Sequence, residues 1–368
     1  MTTARAIDLY VVALPLVRPF RTSFGTSTEK ICILARVRTD HAEGWGECVA
    51  DDGYPAFSGE WIEGAWALLR DVLGPALLGA GDLEADAVEA AFSFVRGNPM
   101  AKATLVDAFV DAALREHGIS LASWLGAERD HVACGVSVGI TDTTEELRAQ
   151  VDGYLDEGYR RIKLKIAPGI DVERVGAIRA AHPDIRLSVD ANAAYTLEDA
   201  GVFRALDAYE LLMIEQPLHH EDLVMHAALQ HRIVTSLCLD ESIRSAADAA
   251  AAIELGACRI VNIKQGRVGG VLEARRVHDV CRAADVAVWC GGMLETGVGR
   301  ALNLALAALP GFTLPGDTSA SRRYFHEDLT APFDLAPDGT MAVPRGPGIG
   351  VDPDPGRLAA WTTAHEHL

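Results

Sequence analysis

The sequence predicts an α/β protein built on a (βα)8 barrel, with a smaller α+β domain in front of it. Charged residues within or at the ends of short apolar runs recur at steps of 25, 25, 25 and 24 residues: Lys165, Asp190, Glu215, Asp240 and Lys264. One strand, one helix and two short loops account for such a step. The length, 368 residues, fits a barrel plus a smaller unit. Because the carboxyl ends of barrel strands share one rim, these side chains are expected around a common mouth.

The first 60 residues are rich in strand patterns. AIDLYVVALPL alternates apolar and polar positions, and KICILARVRT followed by GWGECVA indicates a hairpin around His41–Gly44. Helical spacing takes over between Trp61 and Arg115 and is clearest in Ala101–Arg115. Strands followed by helices indicate an α+β unit, which we assign to residues 1–126.

The βα alternation begins with HVACGVSVGI, a buried-strand pattern counted as the first barrel strand. The next run, TTEELRAQVDGYLDEG, is an amphipathic helix with Thr143 or Thr144 as its N-cap. Ala287–Gly297 is a seventh strand and Phe312–Asp317 a shorter eighth. The Pro- and Gly-rich stretch from Ala331 no longer alternates, and we expect it to pack back on the outside or on the first domain.

Composition excludes several classes of function. The net charge is −19 and no basic block occurs, so a nucleic-acid partner is not expected. Seven cysteines without a CxxC pair, most of them in apolar runs, suit a reducing compartment. The sequence shows neither a secretory signal pattern nor a run of 18 apolar residues, so no membrane association is expected. We therefore expect a cytoplasmic protein.

Three carboxylates, Asp190, Glu215 and Asp240, stand in register without Cys or His among them. Hard oxygen donors select Mg²⁺ or Mn²⁺ over zinc or copper. A divalent cation would also offset the repulsion between the like charges. The alternative is three unrelated acidic strand ends that cap the following helices, but their register and the flanking lysines favour a metal site.

Lys165 and Lys264 lie one βα unit before and one after the carboxylates, which places them on opposite sides of such a cation. A free lysine has a pKa near ~10.4, and the positive charge of Lys163, two residues from Lys165, lowers it. Two such amines suit proton transfer at the carbon next to a substrate carboxylate, with the metal stabilising the enediolate. The alternative is ordinary surface lysines, which the apolar context RIVNIKQG disfavours.

Two loops rich in Pro, Gly, Ser and Thr carry aromatic residues. Phe20 and Phe24 lie in PFRTSFGTSTEK, and Tyr54 and Phe57 lie in DDGYPAFSGE. One interpretation is a lid over a small apolar group of a ligand, and the other is ordinary loop packing.

At the charged residues the chain resembles the enolase superfamily, in the muconate lactonizing enzyme subgroup, with its KxK motif at Lys163–Leu164–Lys165. Further segments resemble the N-acylamino acid racemase / o-succinylbenzoate synthase family: PFRTSFGT, GWGEC, CGVSVGI, EGYRRIKLKI, VDANAAYT, IEQPL, CLDESI, GRVGG, CGGMLETG and TLPGDTSAS. The resemblance implies a modified (βα)8 TIM barrel, residues 127–330. It also implies an α+β capping domain, residues 1–126, completed by residues 331–368. It further implies Mg²⁺, with Mn²⁺ or Co²⁺ able to substitute, and a homo-oligomer, often an octamer.

The resemblance also implies roles for individual residues. Lys165 and Lys264 would be the acid/base catalysts, while Lys163 would tune Lys165 and contact the substrate carboxylate. Asn192 would act at that carboxylate or around the metal, which Asp190, Glu215 and Asp240 would hold. Arg267 would tune Lys264, or alternatively form a salt bridge on the rim. The residues implied to line the substrate pocket are Ser137, Gly291, Gly292, Met293, Phe20, Phe24, Tyr54 and Tyr324.

The function implied is racemisation of N-acylamino acids, N-succinyl derivatives being preferred, together with o-succinylbenzoate synthase activity. The alternative is mainly o-succinylbenzoate synthesis for menaquinone by elimination of water, with Lys264 remaining cationic. A dipeptide epimerase ranks lower because TLPGDTSAS holds only Asp317. A mandelate-racemase-like enzyme would need a His after strand seven, where this chain has Cys290. Muconate cycloisomerisation ranks lower still, and a non-catalytic barrel with a structural metal is the remaining alternative.

Overall fold

The computed structural model describes residues 1–23, 25–54 and 57–368. Its N-terminal part is an antiparallel sheet followed by helices. The predicted hairpin around His41–Gly44 is confirmed, with the Thr39 amide donating to the Ala42 carbonyl at 2.9 Å. The elements are β1 (Thr2–Thr3), β2 (Ala6–Arg21), β3 (Thr26–Arg38), β4 (Glu43–Cys48), α1 (Ile62–Leu68), α2 (Gly74–Gly79), β5 (Asp82–Leu83), α3 (Pro99–Glu116) and α4 (Leu121–Leu125).

The helix α3 packs directly on the strand β4. Two glycines of the GWGEC motif allow the two backbones to approach closely. A Cβ built on Gly44 would lie 2.1 Å from the Ala112 amide nitrogen, and one on Gly46 would lie 2.0 Å from the Thr104 oxygen. Only a residue without a Cβ permits this approach of helix and strand backbones. The apolar stripe predicted for Ala101–Arg115 is confirmed, since this face of α3 is fully buried.

The remainder of the chain alternates strands and helices. In sheet order, seven parallel strands run β7-β8-β9-β10-β11-β12-β13. The elements are β6 (His131–Ala133), β7 (Val136–Val138), α5 (Thr144–Asp156), β8 (Ile162–Lys165), α6 (Val172–Ala181), β9 (Leu187–Asp190), α7 (Ala200–Leu206), β10 (Ile214–Glu215), α8 (Leu223–Gln230), β11 (Leu237–Leu239), α9 (Ala246–Leu255), β12 (Ile260–Ile263), α10 (Gln265–Val268), α11 (Val271–Ala283), β13 (Ala287–Cys290), α12 (Gly297–Ala307), β14 (Thr340–Ala342), α13 (Pro355–Trp361) and β15 (Thr362–His367).

The eighth segment closes the sheet into a modified TIM barrel. Phe312 forms a parallel bridge with Val288 of β13, and Gly316 forms one with Cys134, just before β7. The eighth strand of the prediction is therefore present as two isolated bridges and not as a regular strand. The mixed α/β fold class and the barrel are confirmed.

The first predicted barrel strand was wrong in one respect, because HVACGVSVGI contains two strands. β6 pairs antiparallel with β14 near the C-terminus, and β7 alone joins the barrel. Gly135 lies between the two strands, and a Cβ there would lie 2.8 Å from Nε of Arg161 and 3.0 Å from its carbonyl oxygen. The helix that follows begins as predicted, since the Thr143 side chain accepts from the Glu146 amide.

The C-terminal tail returns to the N-terminal sheet. β15 pairs antiparallel with β2, and Leu368 exchanges backbone hydrogen bonds of 2.8 and 3.0 Å with Ile7. The domain bounds 1–126, 127–330 and 331–368 stay a prediction. All seven cysteines are buried free thiols. Within the described residues, the helices are too short or too polar to cross a membrane.

Candidate active site

The five charged residues of the 25-residue rhythm meet at the carboxyl end of the barrel. Lys165 stands opposite Asp190 in the pairing of β8 with β9, and Asp190 stands opposite Glu215 in the pairing of β9 with β10. Asp240 follows β11 directly and Lys264 follows β12. The three acids are 1%, 0% and 1% exposed. Strand register and nearly complete burial together hold these charges at one rim.

Lys163 lies where three carboxylates meet. Its Nζ is 2.8 Å from Glu215 Oε2, 3.1 Å from Asp190 Oδ2 and 2.7 Å from Asp317 Oδ2, and 4.8 Å from the centroid of the Trp289 ring. Burial acts to lower the pKa of Lys163, but the carboxylates outweigh it and raise the pKa well above its usual value. Lys163 is therefore a permanent positive charge at the bottom of the site.

Asp190 and Glu215 respond in opposite directions to this network. Burial acts to raise the pKa of Asp190, but Lys165 and Lys163 lower it below its usual value. Burial, followed by the charge of Asp190, raises the pKa of Glu215. Asn262 Nδ2 donates to Glu215 Oε1 at 2.7 Å, so both Glu215 oxygens are engaged.

Lys165 and Lys264 lie on opposite flanks of the carboxylates. Lys165 Nζ donates to Asp190 Oδ2 at 2.8 Å and to Asn192 Oδ1 at 2.5 Å. Lys264 Nζ donates to Asp240 Oδ2 at 2.7 Å and lies 4.6 Å from the centroid of the Phe57 ring. In sheet order the strands β9, β10 and β11 separate the two lysine-bearing strands. Both amines line one cavity of about 510 Å³.

Asn192 is held toward Lys165 by an unusual backbone. Its φ is 43°, in the left-handed region that costs a non-glycine residue about 1–3 kcal/mol. The Asn192 amide donates to Asp190 Oδ1 at 3.1 Å and its Nδ2 donates to Glu241 Oε1 at 2.9 Å. Burial, with the charge of Asp190, raises the pKa of Glu241 to about 7. Sequence reasoning did not single out Glu241, although it directly follows Asp240.

Arg267, in the short helix α10 that follows β12, is buried and not on an exposed rim. It is 2% exposed, its guanidinium contacts Asp240, and its Nη2 donates to the Asn262 carbonyl at 2.8 Å. Burial lowers the pKa of Arg267 to about 9. Since Asp240 also accepts from Lys264, Arg267 and Lys264 share one carboxylate.

Most of the residues implied for the substrate pocket surround the cavity. Gly291 does not: a Cβ there would lie 2.3 Å from Oδ1 of Asn262 and 2.6 Å from Cε of Lys264, so this glycine makes room for both side chains. Phe24 lies outside the described residues. The implied residues that line the cavity are Phe20, Tyr54, Ser137, Asn192, Gly292, Met293 and Tyr324.

Sequence reasoning missed two further charges at this cavity. Asp317 ends the eighth segment and pairs with Lys163 and Arg161. Its position at a strand end was the available signal. Lys30, at the start of β3, is 7% exposed and lines the cavity. No local pattern distinguishes it from an ordinary charged residue at the edge of a strand.

The three acids Asp190, Glu215 and Asp240 could hold a divalent metal ion. They offer only oxygen donors, and a cation, Lys163 Nζ, contacts two of them in this structure. Among the described residues, ligand atoms that all lie within 4.8 Å of one another occur at His219, His220 and Glu221, while those of the three acids are farther apart. That group is mostly exposed and lies outside the cavity, so the buried carboxylates fit a functional ion better.

Comparisons with known proteins agree with this geometry. The model of the mandelate racemase / muconate lactonizing enzyme N-terminal domain matches residues 6–126, and the enolase C-terminal domain-like model matches residues 146–357. An N-succinylamino acid racemase from Amycolatopsis sp is 56% identical, over 97% of both chains. An o-succinylbenzoate synthase from Geobacillus stearothermophilus is 46% identical, over 95% of this chain and 93% of its own.

A solved structure gives the same result. A member of the enolase superfamily from Listeria innocua superimposes with a TM-score of 0.96 at 39% identity, covering 100% of this chain and 99% of its own. This chain therefore belongs to the mandelate racemase / muconate lactonizing enzyme family of the enolase superfamily.

Proposed function

We propose that the protein racemises N-acylamino acids, with N-succinylamino acids preferred, by transfer of the α-proton between two lysines. The observation that carries this proposal is a pair of amines, that of the partly buried Lys165 and that of the buried Lys264, which line one cavity on opposite flanks of a carboxylate set. One amine on each face of a planar carbon is the arrangement that inversion requires. Relatives from Amycolatopsis sp and Thermus thermophilus carry the name N-succinylamino acid racemase, at 56% and 46% identity.

Enzymes of the enolase superfamily depend on a divalent metal ion, and we propose Mg²⁺, with Mn²⁺ or Co²⁺ able to replace it. Asp190, Glu215 and Asp240 would hold it. The ion supplies positive charge next to the substrate carboxylate, which makes the α-hydrogen more acidic. Lys163, whose pKa is raised, adds a fixed charge for the same carboxylate.

The remaining steps belong to the two flanking amines. Lys165 in its neutral form takes the α-proton from one face, and the ammonium of Lys264 donates a proton to the other face. The reverse reaction exchanges these roles. Asn192 holds the Lys165 amine at 2.5 Å, and Asp240 holds that of Lys264 at 2.7 Å, so both nitrogens have defined positions.

The second candidate is o-succinylbenzoate synthase, which uses the same residues. Relatives with that name are 40% to 46% identical to this chain. There Lys165 would remove the proton and return it to the leaving hydroxyl, while Lys264 stays cationic. We propose that the same site catalyses both racemisation and o-succinylbenzoate synthesis.

We further propose that residues 1–126 and 331–368 cap the barrel of residues 127–330, and that the protein acts as a cytoplasmic homo-oligomer, octamers being common in the family. The pairing of β15 with β2 supports the union of the two capping segments, and the buried free thiols support a reducing compartment.

The test is incubation of N-succinyl-L-phenylalanine in D2O with Mg²⁺ or Mn²⁺. We expect solvent deuterium at the α-carbon together with inversion, and loss of both when a chelator removes the metal. An o-succinylbenzoate precursor in a parallel reaction ranks the two activities. Retention of the α-hydrogen and of the configuration by the metal-loaded enzyme would refute the racemase.

A further inference from the structure

Lys30 is a buried lysine whose amine has no hydrogen-bond or ion-pair partner among the described residues. It lies in β3 opposite Leu14 of β2, and it is 7% exposed. It lines the same cavity of about 510 Å³ as Lys165 and Lys264. An ammonium that lines a ligand cavity and has no direct partner in the protein is available to an anion bound there.

The other buried cations of the site are paired. Lys163 contacts three carboxylates, Lys165 contacts Asp190, and Lys264 contacts Asp240. Arg161 contacts Asp317. Lys30 is therefore the exception among the described lysines of this cavity.

The acid that interacts electrostatically with Lys30 is Glu47, which is already engaged elsewhere. Its Oε1 accepts from the Thr296 amide at 3.1 Å, and its Oε2 accepts from Thr296 Oγ1 at 2.7 Å and from the Gly299 amide at 2.9 Å. Burial raises the pKa of Glu47, with the charge of Lys30 acting against that rise. Glu47 therefore directs its hydrogen bonds to the N-terminus of α12, and its effect on Lys30 is electrostatic and not a direct ion pair.

The other acids along the cavity do not pair with Lys30 either. Glu29 precedes it in β3 and so faces the opposite side of the sheet. Asp51 accepts from the amides of Phe57 and Ser58 at 2.8 and 3.1 Å, and Asp52 is exposed. The cavity is therefore the side from which an anion can reach Lys30.

We propose that Lys30 binds the distal carboxylate of the substrate's N-acyl group. The site would then prefer N-acylamino acids whose acyl chain itself ends in a carboxylate. The inference rests on the proposed function, in which the α-carboxylate occupies the Lys163 side of the cavity. A dicarboxylate substrate places its second negative charge against the unpaired amine, whereas a neutral acyl chain offers that amine no anion to bind.

The test compares N-succinyl- and N-butanoyl-L-phenylalanine, whose acyl chains have the same number of carbons. The readout is the ratio of their kcat/KM values. We expect Lys30→Met to lower the succinyl-to-butanoyl ratio about tenfold or more, mainly through KM, because a close charge pair is lost. Lys30→Arg keeps the positive charge and should keep most of the preference. An unchanged ratio in Lys30→Met, or an equal loss on both substrates, would overturn the inference and assign Lys30 to charge balance with Glu47.

A second measurement needs neither a variant nor turnover. Calorimetric binding of N-succinylglycine and N-butanoylglycine to the metal-loaded wild-type protein should show at least about tenfold tighter binding of the succinyl compound. Equal affinities would exclude a cation for the distal carboxylate. If wild-type enzyme exchanges no α-hydrogen on either substrate, the proposed function fails. If it exchanges both and Lys30→Met leaves their ratio intact, only the present inference fails.

Discussion

At the scale of single residues, two carboxylates of the site each bind two cationic side chains. Asp190 accepts from Lys165 and also pairs with Lys163, while Asp240 accepts from Lys264 and contacts Arg267. Each flanking lysine therefore shares its acid with a second cation. Displacement of one partner from such a carboxylate changes the electrostatic environment of the other. Arg267 thus reaches Lys264 through Asp240, and we propose that it positions this carboxylate and does not touch the substrate.

The replacement Lys264→Arg separates the two proposed reactions. A guanidinium keeps the positive charge but does not release its proton at ordinary pH. Racemisation should fall by about 10²–10⁴-fold, the range for loss of a general acid or base. Elimination, in which Lys264 stays cationic, should fall much less. The measurement is kcat/KM for both reactions, with Lys102→Arg on α3 as a matched control outside the cavity. Undiminished racemisation in Lys264→Arg would contradict the two-lysine scheme.

The residues that could be predicted share a local signal. Lys165, Asp190, Glu215, Asp240 and Lys264 all end or follow short apolar runs, so their spacing alone places them on one rim. The residues that could not be predicted lack this signal. Lys30 reaches the cavity because β3 faces the barrel there, and no spacing within β3 records that contact.

At the scale of elements, local pattern predicted the strands and helices better than their partners. The helix α5, its N-cap and the hairpin β3–β4 follow from neighbouring residues. The division of HVACGVSVGI could not be predicted in this way, because β6 pairs with β14, which lies about 200 residues away along the chain. An unbroken apolar run gives no indication that its two halves belong to different sheets.

The replacement Gly46→Ala tests the close contact of β4 with α3. The added Cβ would lie 2.0 Å from the Thr104 oxygen, in backbone that cannot rotate away. Overpacking of this kind costs about 1–3 kcal/mol, so the thermal midpoint should fall. Gly153→Ala is the matched control: it lies in α5 with nothing within 4 Å of the added Cβ, and alanine favours a helix by about 1 kcal/mol. Equal thermal midpoints for the two variants would show that β4 and α3 are not in such close contact.

At the scale of the whole molecule, buried acids of the N-terminal part hold other parts of the chain. Glu47 caps α12, and Asp107 Oδ1 accepts from the Val271 amide of α11 at 2.8 Å. Asp111 accepts from the Ile349 amide near the C-terminus at 2.7 Å. The rhythm of the barrel is local and predicted the fold class. These links join residues far apart in sequence, so no pattern in either segment indicates them.

Asp107 makes the stability of the assembled molecule depend on pH. Burial raises the pKa of this carboxyl from 3.8 to about 8, while its Oδ2 has no hydrogen-bond partner in the described structure. Because the folded-state pKa lies above the unfolded-state value, the folded protein keeps a proton that the unfolded chain releases. The proton on Asp107 therefore makes its full contribution to the free energy of unfolding below about pH 4, and this contribution is lost as the pH rises toward 8.

The replacement Asp107→Asn removes this titration while its side-chain oxygen can still accept from the Val271 amide. The slope for one proton is about 1.4 kcal/mol per pH unit between the two pKa values. We therefore expect the variant to gain stability relative to the wild type as the pH rises from 5 to 8, with the smallest advantage at pH 5. Thermal midpoints of both proteins at pH 5, 6.5 and 8 measure this, and a difference that stays constant or shrinks toward pH 8 would contradict it. The control is Asp86→Asn, which replaces an exposed acid of the same N-terminal part. Its thermal midpoint should differ from that of the wild type by the same amount at all three pH values. The pH-dependent effect then belongs to the buried carboxyl between α3 and α11.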